Sequence, residues 1–489
     1  MNNSYFGKKG YTIYKNILSV DQQHEIRKEL TVSPFVPKTS FTNVVSFPIY
    51  RESNNKFYLP KYYGISKFGY PKQSTTYNYH TIDLSFNGSL RTYQLLITDK
   101  FLENINSNGF GGLLEVGCGQ GKTVMALYLI SKLKLKTLII VHKEFLMNQW
   151  IERINQFLPN SKIGKIQGQI IDIDDKDIVI GMLQSLSMKD YPDNLFDSFG
   201  FTIIDETHHI GAEVFVRSLF KVTTKYMLGL SATMTRKDGL TKVFKLFIGD
   251  VIYKYIDEET HNVLVNVYTF KSMCPIFNED ILNFQGKPQY SSMISKISNF
   301  NTRSEFIIKI ISHIFNNNPN QQLIILAHNK SLLKYLFDSI LHKQLANSSI
   351  GYYIGGMKET DLKISENKSI ILATYAMAAE ALDIKTLTTL LMASPKTDVT
   401  QSIGRILRTK HTQPLVIDIA DTHDVFQSQL KKRINYYKKQ KYTIHLYNEN
   451  DLFNFNILDY TNKNKKPTPN CLIEILNEFC ISIITNLST

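Results

Sequence analysis

Cysteine, acidic charge and long apolar runs are all scarce in this sequence, and each shortage excludes something. The four cysteines (Cys118, Cys274, Cys471 and Cys480) are scattered through 489 residues and form no CxxC pair. That is too few for a disulfide framework and the wrong spacing for a cysteine zinc site. No apolar stretch reaches the roughly 20 residues of a membrane span. The opening segment MNNSYFGKKGY lacks the apolar core of a signal peptide. The expectation is an intracellular chain in a reducing compartment, cytoplasmic or nuclear, neither secreted nor membrane-embedded. Asp and Glu number 43 against 56 Lys and Arg, for a net charge of +13, and such an excess favours a polyanionic partner. An apolar fraction of 43% excludes disorder as a whole-chain state.

The composition shifts along the chain. Residues 1–85 are rich in Tyr, Phe, Lys and Pro, with short candidate strands at Val44–Tyr50 and Lys56–Leu59 and a candidate helix at Val20–Leu30. From residue 86 to 255, short β-branched runs alternate with amphipathic segments: Gly112–Val116, Thr137–Val141, Asp177–Ile180, Phe201–Ile204 and Tyr226–Leu230. Continuous apolar strands separated by helices predict a parallel sheet covered on both faces. Residues 256–300 interrupt that rhythm with Asn, Ser and Gln and read as a linker or insertion. A second alternating series occupies 301–446, with strands at Gln322–Ala327, Ile350–Ile354, Ser369–Ala373, Thr388–Ala393 and Leu415–Ile419. The tail, 447–489, is Asn-rich and then apolar from Cys471 to Ile484, a candidate helix.

The first series carries a glycine-rich turn. The strand ending at Val116 runs into Gly117-Cys118-Gly119-Gln120-Gly121-Lys122-Thr123 and then a helix. The pattern is GxxxGKT, one residue shorter than the full P-loop. Glycines let backbone N–H groups face phosphate oxygens without Cβ interference, and the helix N-terminus adds partial positive charge. In that setting Lys122 reaches the β- and γ-phosphates of ATP and Thr123 holds Mg²⁺. Cys118 reads as a small filler of the loop. The apolar strand Phe201–Ile204 ends in Asp205-Glu206-Thr207-His208-His209. Acids at the carboxyl end of a parallel strand lie beside the same crevice. Asp205 then holds Mg²⁺ and Glu206 orients the attacking water. Two adjacent carboxylates at a buried strand end are poor structural residues without a cation. His208 and His209 do not fit HExxH, so zinc protease chemistry is unsupported.

Four segments in this order resemble the motifs of superfamily 2 helicases: Gly117–Thr123, Asp205–His208 in the place of the DEAH box, Ser231–Thr233, and Gln401-Ser402-Ile403-Gly404-Arg405-Ile406-Leu407-Arg408. Finer features are similar to the XPB-type branch and to helicases of iridoviruses and poxviruses. They are Leu90–Gln94 (LRTYQ), Val141–Trp150 (VHKEFLMNQW), Gly181–Ser187 (GMLQSLS) and Ala373–Ile384 (ATYAMAAEALDI). Arg236-Lys237-Asp238 stands where XPB-type proteins carry Arg-Glu-Asp, and Ala381 where a glycine is common. The resemblance covers about residues 88–445. It implies an α/β fold of two tandem RecA-like lobes with an N-terminal accessory region, and an ATP-hydrolysing helicase or translocase. It also implies that Gln94 reads the adenine edge, and that Gln401, Arg405 and Arg408 of the second lobe serve the γ-phosphate. A helix over motif VI places Gln401, Gly404, Arg405 and Arg408 on one face.

The expected partner is nucleic acid, DNA over RNA, since the PTRELA-type segment of DEAD-box RNA helicases is absent. A role beside the transcription machinery and association with virions are implied by the resemblance alone. Glu380 and Asp383 fit either a role bridging nucleotide and nucleic-acid contacts or a helix-cap or ion-pair role. The basic run Lys431–Lys441, interleaved with Tyr436 and Tyr437, fits either a phosphate-backbone contact or a solvated helix face. Trp150, the single tryptophan, reads as core. Rival readings are a duplex translocase that does not separate strands, an RNA helicase, an idle nucleic-acid-binding scaffold and a small-molecule P-loop kinase.

Overall fold

The computed structural model describes residues 4–35, 45–71, 73–74, 78–107, 109–117, 119–207, 212–233, 239–255, 262–380, 382, 384–407, 411–447, 452 and 455–457. The chain divides into two units, Met1–Glu258 and Glu259–Thr489.

In the first unit an eight-stranded sheet runs in the order Ile170–Ile171, Ile163–Gln167, Ile178–Met182, Thr137–Val141, Phe201–Ile204, Tyr226–Ser231, Gly111–Val116, Val251–Tyr255. Every pairing is parallel except that of the short edge strand Ile170–Ile171. The central strands Thr137–Val141 and Phe201–Ile204 are buried at every position, as a sheet covered on both faces requires. Helices such as Lys122–Leu133 and Glu144–Phe157 return the chain between strands.

The region ahead of this lobe is a small layer of its own. Its five-stranded sheet is ordered Arg51–Glu52, Lys56–Leu59, Gly10–Tyr14, Ser4–Gly7, Gln73–Ser74. Helix Val20–Glu29 begins at a reciprocal capping box between Ser19 and Gln22, which satisfies two otherwise orphaned donors. Helix Lys61–Phe68 packs on the sheet so closely that a Cβ on Gly64 would come 2.1 Å from the Tyr11 ring. The same helix fastens the region to the lobe. Lys61 is buried, donates to Thr224 O at 3.2 Å and lies 4.5 Å over the Phe110 ring. Burial pulls its amine down to about 7. The Tyr62 hydroxyl donates to Gly111 O at 2.9 Å and accepts from Phe110 N at 3.2 Å. Phe6 meets Phe110 edge-on at 4.8 Å.

The second unit repeats the lobe plan: Ile350–Tyr353, Ile370–Thr374, Leu323–Ala327, Thr389–Met392, Leu415–Asp421, Leu264–Phe270, Thr443–Tyr447, Phe455–Ile457, parallel but for the last pair. Both lobes are therefore mostly parallel sheets flanked by helices, the RecA-like plan. Two details differ from the sequence reading. Residues 256–300 are more than a linker, because Leu264–Phe270 is an interior strand of the second sheet. The expected helix over motif VI is only Thr400–Ile403, with Gly404 as its C-cap. The candidate helix at 471–484 lies outside the described residues.

Two buried ion pairs lock this lobe. Arg303 is fully buried and meets Asp421 through two hydrogen bonds of 2.5 and 2.8 Å, with a third to Ala393 O. Arg433 donates to Asp418 at 2.7 Å and to Lys396 O at 2.9 Å, and the Tyr437 hydroxyl shares that carboxylate at 2.8 Å. The basic run thus has a buried member and a solvated face. Removing one partner of a buried pair strands an uncompensated charge, at a cost of about 3–5 kcal/mol. Asp421→Ala is expected to lower the urea midpoint of the chain sharply. Asp83→Ala, which breaks an exposed pair with Lys134, leaves the midpoint nearly unmoved. Equal responses would refute the assignment.

Candidate active site

Three neighbouring strands of the first sheet end on one edge, and each delivers part of a cluster. Phe201–Ile204 leads into Asp205 and Glu206. Tyr226–Ser231 leads into Ala232 and Thr233 and lies between the other two. Gly111–Val116 leads into the glycine turn. In that turn Gly119 and Gly121 hold φ of +79° and +80°, a left-handed conformation that glycine adopts without penalty. A Cβ at Gly121 would also come 2.3 Å from Gln94 Nε2. Helix Lys122–Leu133 starts at once, so its first N–H groups face the turn. Thr123 sits half-buried in the first helical turn.

Lys122 is held over the edge. Its ammonium donates to Val116 O at 3.2 Å and lies 3.7 Å from Glu206 Oε1. Gln94 and Tyr93 brace the turn from behind. The Gln94 amide accepts from Arg91 N at 3.0 Å and donates to Gln120 O at 3.0 Å. The Tyr93 hydroxyl lies 2.8 Å from Gln120 Oε1, and its ring stacks on Tyr255 at 4.5 Å. Gln94 is 5% exposed, so its amide has a loop-holding task in addition to any ligand it reads.

Asp205 is 7% exposed. One carboxylate oxygen accepts from Trp150 Nε1 at 2.8 Å and the other from Glu206 N at 2.9 Å. Burial and then the like charge of Glu206 push Asp205 up to about 6, while the Trp150 hydrogen bond and Lys122 pull the other way. Trp150 is core, as its 1% exposure shows. Its role as the donor that fixes Asp205 was not visible in the sequence, because 55 residues separate the two. Glu206 adopts φ +49°, a strained setting for a side-chain-bearing residue that clusters at functional sites. Ser231 turns its hydroxyl onto Thr233 O at 2.6 Å.

Two further segments share this edge. Val141–Trp150 and Gly181–Ser187 follow adjacent parallel strands, and Gln184 Nε2 donates to His142 O at 3.1 Å.

In the second unit Arg405 is 7% exposed, and its guanidinium donates to Leu382 O at 2.7 Å. Gln401 is half-buried on the short helix. A triad that sequence reading missed ties three strand ends together: His328 Nδ1 lies 2.8 Å from Ser394 Oγ, and the Tyr375 hydroxyl donates to Ser394 O at 2.7 Å. Burial, with Lys396 nearby, lowers His328 to about 4, so it is neutral at physiological pH. Cys118, His208, His209, Arg236–Asp238, Ala381, Asp383 and Arg408 lie outside the described residues.

The raised Asp205 has a thermodynamic signature. Its folded value near 6 exceeds the ordinary value near 4, so the folded state binds the extra proton. Stability therefore falls as pH rises from about 4 to about 6, and the whole cost is present above that range. In metal-free protein, Asp205→Asn is expected to melt higher than the parent at pH 8 and to converge with it at pH 4. A variant that melts lower at pH 8 would contradict the reading.

Residues 87–236 match the family described as "Type III restriction enzyme, res subunit". The chain is 38% identical over 452 residues to "Putative ATP-dependent RNA helicase L396" of Acanthamoeba polyphaga mimivirus, across 90% of this chain and 86% of that one. It is 28% identical over 379 residues to "Putative helicase 161L" of Invertebrate iridescent virus 6, across 73% and 83% of the two chains. Among solved structures it is similar in fold to "a putative HsdR subunit of a type I restriction enzyme from Vibrio vulnificus YJ016", with a TM-score of 0.51, 16% identity, and 70% of this chain and 66% of that one covered.

Proposed function

We infer the activity from one premise: the chain belongs to the family of superfamily 2 helicases of large DNA viruses that includes the mimivirus and iridescent-virus proteins. It is an ATP-hydrolysing helicase of viral type. The observation that carries the residue assignment is the convergence of Lys122, Asp205 and Glu206 on one sheet edge, with Lys122 3.7 Å from Glu206.

On this reading the turn from Gly117 to Gly121 and the first N–H groups of helix Lys122–Leu133 cradle the phosphates of ATP, and Lys122 leaves Glu206 for the β- and γ-phosphates. Glu206 then orients the attacking water and accepts its proton. The hydroxyl of Thr123 and the carboxylate of Asp205 form an oxygen donor set that suits a hard divalent cation. The crowding of Asp205 by Glu206 is the kind of charge conflict such a cation relieves. Mg²⁺ held there would neutralise charge on the β- and γ-oxygens. Trp150 keeps the Asp205 carboxylate aimed and ionised. Gln401, Arg405 and Arg408 of the second unit serve the γ-phosphoryl group, where guanidinium groups are worth on the order of 10³–10⁵ in rate in other NTPases.

The polymer is nucleic acid, gripped through its sugar–phosphate backbone with little base readout by the segments 141–150 and 181–187. We favour DNA, on the absence of a PTRELA-type segment. The name of the mimivirus relative favours RNA. ATP hydrolysis titrated with single-stranded DNA, duplex DNA and RNA at one salt concentration separates the two, and DNA is expected to stimulate more. A strand-displacement assay alongside it separates unwinding from translocation on an intact duplex. Lys122→Ala is expected to abolish turnover while leaving the melting temperature near that of the parent. Glu206→Gln should retain ATP binding and lose about 10²–10⁴ in turnover. Parent-level hydrolysis by either variant would remove these assignments.

A further inference from the structure

The N-terminal sheet has one face that the helicase cycle leaves unused. Strand alternation assigns Phe6, Tyr11, Ile13, Phe57 and Leu59 to the helix-covered face, where all are buried. The register places Tyr5 opposite Thr12, Thr12 opposite Tyr58, Tyr58 opposite Arg51, and Tyr14 opposite Lys56 on the other face. There the three tyrosines are half-buried and Thr12 between them is sealed at 1% exposure. Cations are threaded among them. Lys56 lies 4.6 Å over the Tyr14 ring and 5.4 Å over Tyr5, and donates to the Tyr5 hydroxyl at 3.2 Å. Lys9 lies 5.4 Å over Tyr58. The carboxylate of the edge strand, Glu52, is opposite Phe57 on the helix side, where it pairs with Lys15 and Arg27. Among the described residues of these strands, the open face carries positive charge and no carboxylate.

We propose that this face binds single-stranded nucleic acid, stacking unpaired bases on Tyr5, Tyr14 and Tyr58 while Lys9 and Lys56 meet the phosphates; Arg51 lies 5.7 Å over the Phe220 ring of the lobe and closes the platform on that side. A row of aromatic rings interleaved with cations on a sheet suits a strand whose bases are free to stack. A duplex hides those base faces. Lys56, held between two rings, fixes the spacing of the platform and adds charge to it. The proposal goes beyond the ATP-driven cycle, and its readout needs no ATP.

Binding of a fluorescent oligothymidylate to the nucleotide-free full chain, followed by anisotropy at fixed salt, tests it. Tyr5→Ala, Tyr14→Ala and Tyr58→Ala should each weaken binding by about fivefold to about a hundredfold. Phenylalanine at the same positions should largely retain it, and Lys56→Gln should reduce the salt slope by about one. An iodouridine-substituted strand should cross-link, on the unmodified chain, to peptides containing these tyrosines. Alanine variants that bind like the parent, phenylalanine variants that lose as much as alanine, or cross-links confined to the two lobes would each overturn the proposal. Failure of the helicase reading is seen separately, as ATP hydrolysis that no nucleic acid stimulates.

Discussion

Two carboxylates and one ammonium share a nearly dry edge of a parallel sheet, and the rest of the first lobe can be understood as the means of keeping them there. Asp205 ionises reluctantly at 7% exposure beside Glu206, and Lys122 alone does not settle the balance. Such a cluster is costly by itself, and on the proposed reading phosphates and a cation would bring it into balance. The cost is met by rigid parts: a strand buried on both faces, an indole donor fixed in the core, and a glycine turn braced by Gln94 and Tyr93. A loose loop would let the carboxylates turn to water and the preorganisation would be lost.

The second lobe solves a different problem with similar means. Arg303–Asp421 and Arg433–Asp418 are buried ion pairs at the carboxyl end of, and within, strand Leu415–Asp421. Each guanidinium also donates to a backbone carbonyl just beyond strand Thr389–Met392. They join the helices Asn301–Asn317 and Asp424–Lys439 to the sheet. A purely apolar contact is non-directional, whereas a bidentate pair defines geometry. His328, Ser394 and Tyr375 extend that bracing across neighbouring strand ends.

What the sequence made legible follows from the range of the interaction. Strand and turn patterns are local, so Thr137–Val141 and Phe201–Ile204 were placed to the residue, and the GxxxGKT turn announced its own geometry. Long-range partners were not legible. Nothing near Trp150 points to Asp205, and nothing near Arg303 points to Asp421, because the fold brings them together across 55 and 118 positions. Leu264–Phe270 escaped notice for another reason. Its Asn266 and Thr269 interrupt the apolar run, so an interior strand looked like part of a polar connector. The helix of motif VI was overextended because spacing alone does not register the break at Gly404.

The fastening of the N-terminal layer has a consequence for how the chain can be divided. The Tyr62 hydroxyl closes hydrogen bonds at the first residue of the strand whose far end is the glycine turn, and Lys61 is sealed among Phe6, Phe110 and Thr224. A cut near residue 85, the boundary that composition suggests, would remove Tyr62 from the root of that strand, and Leu59, Pro60 and Lys61 from the cavity they line with Met227 and Phe247. The first lobe thus rests on its companion layer as on a foundation.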